Sequence, residues 1–531
     1  MNAHSPIRIR CLMILTVLVC AAVPLVCANP VCEATGTGKC YYIDPIEGDD
    51  ENDGSFATPW KSFRNVISYY KSEYRPAGWV ALQPGDCLYL MDGTYTEIIY
   101  PGAWLIPPEE GGGGGHIAYF HQIHADKGQP FYIKAYPGHR PVFDLQFNGT
   151  GIRISQSSFW EISGIEIKNA YQVGLNILES SHVKLHDIYI HDTDGVDNNN
   201  LAGLSMTGAD EIEVYSSEFH DNYDRTCADT EGRATRNSTN IFIFGGSKVA
   251  IHDCLIWQSL PTTHEKSGAG LRYKHSSRDP NSYFHVYRNT FNNCKFYAMQ
   301  SGTPNTHFHH NLVFGGSHGV SCANGGGPTH QINQIYEFNT FYGTNSLSVK
   351  PEIGYRNAEF PDDPKNIVFR NNIVYDTATR YWDEWTIVGF AAYMSDELYN
   401  ILIPEVTLNN NCYFNPFLPV QFGFASGFDN REGYELGGMY TLPEWQAEYG
   451  YDVNSIEADP MFVDPANGDF HLKLGTPCTN MGRYASEPPP TCREPIRSDL
   501  NGDCKVDFID LSIFMSEWLK CNLEPVEACY E

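Results

Sequence analysis

Arg272 and Lys274 lie two residues apart in Gly270-Leu271-Arg272-Tyr273-Lys274, a spacing that puts both cations on one face of a β-strand. A pair of cations can neutralise a carboxylate, and neutralisation acidifies the proton on the adjacent carbon, the proton a β-elimination must remove. Asn240-Ile241-Phe242-Ile243-Phe244 sets two rings with the same alternation, and Phe242 and Phe244 can stack on sugar faces. His275 and His264 are close enough in sequence to carry a proton. Met299 and Ser301, in Tyr297-Ala298-Met299-Gln300-Ser301, complete the expected substrate-binding set. The chemistry that these residues support is cleavage of a uronate-containing polysaccharide by β-elimination, with Arg272, Lys274 and His275 as catalytic groups. Two other readings stay open. A glycoside hydrolase needs two carboxylates about 5–9.5 Å apart, for which Asp194, Asp224 and Glu265 are candidates. A non-catalytic carbohydrate-binding or surface protein would use the same rings without turnover.

Oxygen-rich segments raise the question of calcium. Asp194, Asp197, Asp221 and Asp224 fall in acidic turns, which are either cation ligands beside the substrate or ordinary solvated loops. The C-terminal segment is more specific: counted from Asp499, side-chain oxygens fall at positions 1, 3, 5, 9 and 12 through Asp499, Asn501, Asp503, Asp507 and Asp510. Lys505 can add its backbone carbonyl at position 7, which gives the ligand spacing of a calcium loop. Leu511, Phe514, Met515, Trp518 and Leu519 then form the apolar stripe of a following helix. His307, His309, His310 and His318 have no diagnostic ligand spacing and read as surface or ladder histidines.

The elements that must position these side chains are short strands in a repeat. The signature apolar-x-x-Asn-x-apolar occurs around Asn289, Asn311, Asn339 and Asn371, with spacings of 22, 28 and 32 residues, and looser versions centre on Asp187, Ser217 and Asp253. Self-similarity at this period marks a solenoid whose units bury their apolar edges against neighbours, and Gly and Asn punctuation makes it a β-solenoid. A second row aligns Leu175, Leu204, Ile241, Leu271, Ala298, Val320 and Leu347 as an inward column. The flanking columns, with Phe242, Phe244, Arg272 and Lys274, then point outward on adjacent coils about 4.8 Å apart.

Composition fits an exported protein. The first 28 residues have a basic start at Arg8 and Arg10, an apolar run from Cys11 to Val26 and a small-residue exit, the pattern of a signal peptide. No later run approaches a membrane span. Of 16 cysteines, 13 follow residue 28; Cys32 with Cys40 and Cys504 with Cys521 are expected local bridges, while Cys254, Cys294 and Cys322 read as small buried hydrophobes. A formal net charge of −29 argues against nucleic-acid or anionic-membrane partners, so an acidic substrate would need local cations. Thr58-Pro59-Trp60 is expected to start a capping helix running to about Tyr70, with Thr58 as N-cap. Residues 486–497, rich in proline, form a linker between the body at 29–485 and a module at 498–531.

Residues 41 to 482 resemble secreted proteins of the pectate-lyase-like superfamily. The opening carries Tyr41-Tyr42-Ile43-Asp44-Pro45, Pro84-Gly85-Asp86-Cys87-Leu88-Tyr89-Leu90 and Asp92-Gly93-Thr94-Tyr95, and Asp459-Pro460-Met461-Phe462-Val463 with Asp469-Phe470-His471-Leu472 looks like that family's closing motif. The resemblance implies an all-β fold, a right-handed parallel β-helix, with a small α-helical calcium-loop module at its end. Gly268-Ala269-Gly270-Leu271-Arg272 resembles the strand bearing the basic catalyst in family nine pectate lyases, with Arg272 at the lysine position. Asp194-Gly195-Val196-Asp197 resembles their calcium turn, with Thr193 in place of its first aspartate, two coils from Arg272 where one is expected. Residues 498–531 look like half of a type I dockerin, which implies a cohesin-like or cell-surface partner, although Cys504 replaces the usual glycine and no second loop follows.

Overall fold

The computed structural model describes residues 30–99, 115–195, 201–223, 238–259, 268–274, 279–294, 297–316, 318–322, 331–349, 365–378, 388–392, 404–426 and 438–485. The expected signal segment, linker and C-terminal module lie outside them.

Within one coil the chain runs through Thr150–Ser155, Ser158–Ser163 and Glu166–Lys168, one strand in each of three sheets, before the next coil begins at Val173–Leu178. Repetition stacks these strands in parallel into three sheets of twelve. Sheet 1 contains the Thr150–Ser155 strand, sheet 2 the Ser158–Ser163 strand and sheet 3 the Glu166–Lys168 strand. Sheet 1 alone ends on an antiparallel partner, Gly438–Tyr440. Alternation buries Ile152 and Ile154, Val183 and Leu185, Phe219 and Ile256 in one continuous interior. The result is a parallel β-helix.

The tight turns between sheets 2 and 3 explain the asparagine repeat. One residue of each turn takes the left-handed conformation: Arg288 (φ 53°), His310 (53°), Phe338 (54°), Asn371 (57°) and Asn410 (54°). The next residue is a fully buried asparagine: Asn289, Asn311, Asn339, Asn372 and Asn411. The Asn339 amide nitrogen donates to the Phe308 carbonyl (2.9 Å) and to Asn372 Oδ1 (3.0 Å), while its own Oδ1 accepts from the Asn311 backbone N–H (2.9 Å). Each amide is thereby satisfied by its neighbours in the stack, as burial demands. The repeat unit is therefore Asn372 rather than Asn371. Likewise Ser217 occupies the ladder position, its hydroxyl accepting from Ile188 N–H (3.2 Å), while Asp187 and Asp253 hold the left-handed place before it.

The start of the chain caps the solenoid by another route than the expected helix. Asp50 accepts from the N–H groups of Lys61 (3.0 Å) and Ser62 (2.8 Å), and Trp60 N–H bonds the Tyr42 carbonyl, which holds Pro59 and Trp60 extended. Only Phe63–Asn65 winds into a 3-10 turn, with Ser62 as its cap. Trp60, Phe63, Val66 and Ile67 still plug the interior.

At the other end the plug is a helix, α1 (Leu442–Tyr449). Thr441 donates through N–H (2.9 Å) and hydroxyl (2.7 Å) to Glu444, Gly450 terminates it at φ 67°, and buried Trp445 stacks on Phe422 at 5.4 Å. The expected closing motif forms a hairpin, Phe462–Asp464 with Asp469–Leu472, but it folds back along the flank, packing Phe462 and Phe470 on Leu312, Ile373 and Cys412. Cys32–Cys40 is bridged, as is Cys412–Cys478, which joins this returning tail to the body. Cys254, Cys294 and Cys322 are buried thiols.

Candidate functional site

Sheet 1 places the chemistry. Its inward column is Leu175, Leu204, Ile241, Leu271, Met299 and Val320. The outward column beside it runs Asn176, Ser205, Phe242, Arg272, Gln300 and Ser321, and Phe244 pairs with Lys274 one step further along the strands. Thr239–Phe244 and Ala269–Lys274 thus carry Phe242, Phe244, Arg272 and Lys274 as one block on the outer wall. The Phe242 and Phe244 rings lie 6.3 Å apart with planes tilted by 31°.

Exposure divides the block in two. Phe242 and Arg272 are only 3% and 2% exposed and so are almost wholly covered, whereas Phe244 is 36% exposed and Lys274 half-buried. An arginine keeps its charge when desolvated, so its electrostatic influence on its surroundings is strong there. The local backbone accounts for the preceding glycines. Gly268 sits at φ 83°, and a Cβ on Gly270 would come within 2.5 Å of the Ala298 carbonyl oxygen. Thr239 fastens the two strands, its hydroxyl donating to the Gly270 carbonyl (3.0 Å).

Two expected binding residues fall on the wrong side. Leu271 pairs with Met299 and Tyr273 with Ser301, one residue away from the register read from sequence. Met299 and Ser301 are accordingly fully buried among inward positions, and Gln300 takes the outward place beside Arg272. Tyr297 and Ala298 belong to the incoming turn: Leu271 N–H bonds the Ala298 carbonyl (2.9 Å) before the strand proper begins. The signal for Gln300 was the polar residue between Met299 and Ser301, masked by assigning Ala298 to the inward column.

The acidic candidates have other partners. Asp221 Oδ1 accepts from Ser259 N–H and hydroxyl, both at 2.8 Å, and Oδ2 faces His220 Nδ1 at 2.9 Å. Burial pushes this carboxyl up, but the bonds from His220 and Ser259 outweigh it and hold the pKa below the ordinary carboxylate value. Asp194 Oδ1 accepts from Gly195 N–H (2.8 Å). Among the described residues no group of three or more His, Cys, Asp and Glu side chains is disposed to hold a metal. Asp197, Asp224, His264, Glu265, His275 and the whole set Asp499, Asn501, Asp503, Lys505, Asp507 and Asp510 lie outside the described residues.

The histidines separate. His307 and His309 stand on the outer face of sheet 2, with His310 in the turn that follows; burial, reinforced by His307 and His310, pushes His309 down to about 3. His318 is on sheet 1, its ring 5.3 Å from Tyr297. Sequence reasoning passed over a denser group on sheet 3. Tyr189 OH lies 2.5 Å from His220 Nε2, and His220 stacks on Trp257 at 4.1 Å and on His191 at 4.9 Å. His-Asp neighbours recur at 186–187, 191–192, 220–221 and 252–253, each with the aspartate left-handed and bonded to the preceding ring, so the dipeptide is a turn device of this fold.

Residues 150–341 match the family model described as a right handed beta helix region. The match covers the middle coils of the β-helix and agrees with its right-handed parallel architecture. No curated protein matches the chain by sequence. Among solved structures, the pectate lyase Pel9A aligns at 14% identity and a TM-score of 0.41, over 85% of this chain and 94% of that one. The alginate lyase from Paenibacillus sp. str. FPU-7 aligns at 12% identity and 0.35, over 66% and 93%. The lacto-N-biosidase from Eubacterium ramulus aligns at 13% and 0.36, over 71% and 64%. None of these likenesses is close enough for chemistry to be carried across. No helix among the described residues is long and apolar enough to cross a membrane.

Proposed function

We propose that the protein is an exported polysaccharide lyase that cleaves a uronate-containing chain on the outer face of sheet 1. The observation that carries this reading is the placement of Arg272 and Lys274 on one strand, in register with Phe242 and Phe244, in a chain of net charge −29. Cations gathered on one wall of so acidic a protein suit an acidic ligand.

In the proposed reaction Arg272 holds the uronate carboxylate and neutralises it, which acidifies the proton on C5. Lys274, on the same face of the strand, is proposed to take the proton in its neutral form. The C4–O4 bond breaks as a C4=C5 double bond forms, and the departing oxygen leaves with a proton from solvent. Phe242 and Phe244 orient the ring. His275 is proposed as a second proton carrier. We further propose that residues 499–510 bind calcium, independently of the groove, and that the C-terminal module tethers the enzyme to a cohesin-like or cell-surface partner.

The test is incubation of the full chain with pectate, alginate and other uronate polymers, following ultraviolet absorbance of the new double bond. Absorbance that appears with the wild type and vanishes in Lys274→Ala supports the lyase. Reducing ends without absorbance would select a hydrolase instead, and binding without any product would select a non-catalytic role. Calcium titration before and after Asp499→Ala checks the C-terminal loop.

A further inference from the structure

The outward column of sheet 1 continues toward the beginning of the chain, and there it holds another arginine. Tyr119, Arg153, Asn176, Ser205, Phe242 and Arg272 follow one another in register. Arg153 therefore stands four coils from Arg272, about 19 Å along the same wall.

Arg153 is half-buried without a carboxylate partner among the described residues, whereas Arg75 and Arg140 are exposed to solvent. Arg64, Arg288 and Arg370 are paired with Glu97, Asp253 and Glu337. Arg153 forms no ion pair or hydrogen bond with any described residue, and its Nε is buried without a partner. The guanidinium lies over the Tyr119 ring at 6.0 Å. Tyr119 in turn stacks with His116 at 5.3 Å and with His121 at 6.0 Å.

His116 deepens the anomaly. It is 3% exposed, yet neither ring nitrogen has a hydrogen-bond partner, and Asn176 Oδ1, one coil on from Arg153, is likewise buried and unmatched. Burial, with help from the Arg153 cation, pushes His116 down to about 3, so the ring is neutral and offers one donor and one acceptor. An unmatched buried polar group is costly, and three neighbouring residues sharing that cost point to something external that satisfies them. A cation, a donor, and two acceptors on an aromatic support complement a sugar ring that carries a carboxylate and hydroxyls.

We propose that Arg153, His116 and Asn176 form a distal subsite for a uronate unit of the same polysaccharide chain that is cut at Arg272, so that the wall grips an extended acidic chain at two cations. The proposal rests on the lyase reading and adds to it where the substrate is held and why its length matters. Arg153 takes the carboxylate through its planar fork, while His116 and Asn176 bond hydroxyls.

The test uses the full chain in a Lys274→Ala background, which leaves oligomers uncut, titrated by calorimetry with galacturonate and mannuronate oligomers from dimer to octamer. Affinity is expected to step up about tenfold at the length that first reaches both guanidinium groups, on the scale of one charge-assisted contact. Adding Arg153→Met, which keeps the packing over Tyr119, removes the step, and Arg153→Lys restores part of it. An equal length dependence with and without Arg153 overturns the subsite while leaving the lyase reading standing, as does an equal loss at every length. If no oligouronate binds at all, the lyase reading itself falls. Melting of each variant shows that the fold is intact.

Discussion

The outer faces of sheets 1 and 2 are built on the same coils, yet their charges are treated in opposite ways. On sheet 2, His186, Tyr215, His252, Tyr287 and His309 stack coil upon coil, with centroids 4.8, 5.3, 4.6 and 5.1 Å apart and planes within 11°. Carboxylates answer much of this face: His186 has Glu161 and Asp187, His252 has Glu213 and Asp253, and Lys184 has Glu213, while burial pushes the His309 ring down to about 3 and so keeps it neutral. On sheet 1, Arg153 has no carboxylate among the described residues, and Arg153, Asn176 and Ser321 all present a buried polar atom without a partner. A face whose charges are neutralised internally is complete as a surface. One that leaves the Arg153 cation and the Asn176 amide oxygen unmatched is incomplete there until a ligand arrives.

The largest test of this contrast is to remove one charge from each face. Arg272→Met should lower uronate turnover by about 100- to 1000-fold, the scale of one electrostatic stabiliser, whereas Glu213→Gln on sheet 2 leaves turnover unchanged. Steady-state rates for the two variants decide it, and equal rates would erase the functional distinction between the faces.

The ladder inside the turns supplies a purely structural reference. Asn339→Leu deprives the Asn311 N–H of its acceptor, leaves the Phe308 carbonyl without its donor, and should cost about 2–4 kcal/mol, read from the denaturation midpoint, with no specific effect on ligand affinity.

Asp452 closes that ladder, accepting from Asn411 (3.0 Å), Ser455 (2.5 Å) and Tyr413 (3.2 Å). Burial outweighs these bonds and pushes it up to about 6, above its unfolded value near 3.9. Folding therefore favours its protonated form: the stabilisation is fully present below about pH 4 and is lost as pH rises through 6, on the order of 3 kcal/mol. Asp452→Asn should flatten this part of a pH–stability curve and raise stability at neutral pH.

The smallest effect belongs to the surface pairs of sheet 2. The bond to Glu161 leads the causes that raise His186, and the same bond lowers Glu161. The histidine's contribution is present below about pH 6.5 and fades as pH rises through its folded value; the glutamate's is present above about 4.5 and fades as pH falls. Glu161→Gln should cost less than about 1 kcal/mol, greatest between those limits, by thermal denaturation.

The β-helix was legible in the sequence because its energetics repeat: the left-handed residue, the buried asparagine and the alternating apolar strand recur in coil after coil. The slips came where a repeat is locally padded. Ala298 has the right character for the inward column, but a loop residue before the strand shifts the register to Met299. Thr58-Pro59 has the chemistry of a helix start, yet Asp50, distant in sequence, captures the amides that follow. The closing motif was recognised in sequence, but its packing along the flank depends on Leu312, Ile373 and Cys478, which no local pattern connects. Arg153 was legible in principle, since Gly151-Ile152-Arg153-Ile154 repeats the pattern of Gly270-Leu271-Arg272-Tyr273. What sequence could not convey was the missing counter-charge, a property of space and not of spacing.

The returning tail gives the molecule an unusual mechanical entry point. Beyond the Cys412–Cys478 link, Gly482 N–H bonds the Asn371 carbonyl (2.9 Å) and Arg483 donates to the Asn289 carbonyl (2.6 Å), so the chain leaves beside coils in the middle of the solenoid. A load applied downstream of Ala485 would be shared across several rungs through a covalent rivet. It would not unravel the rod from its tip.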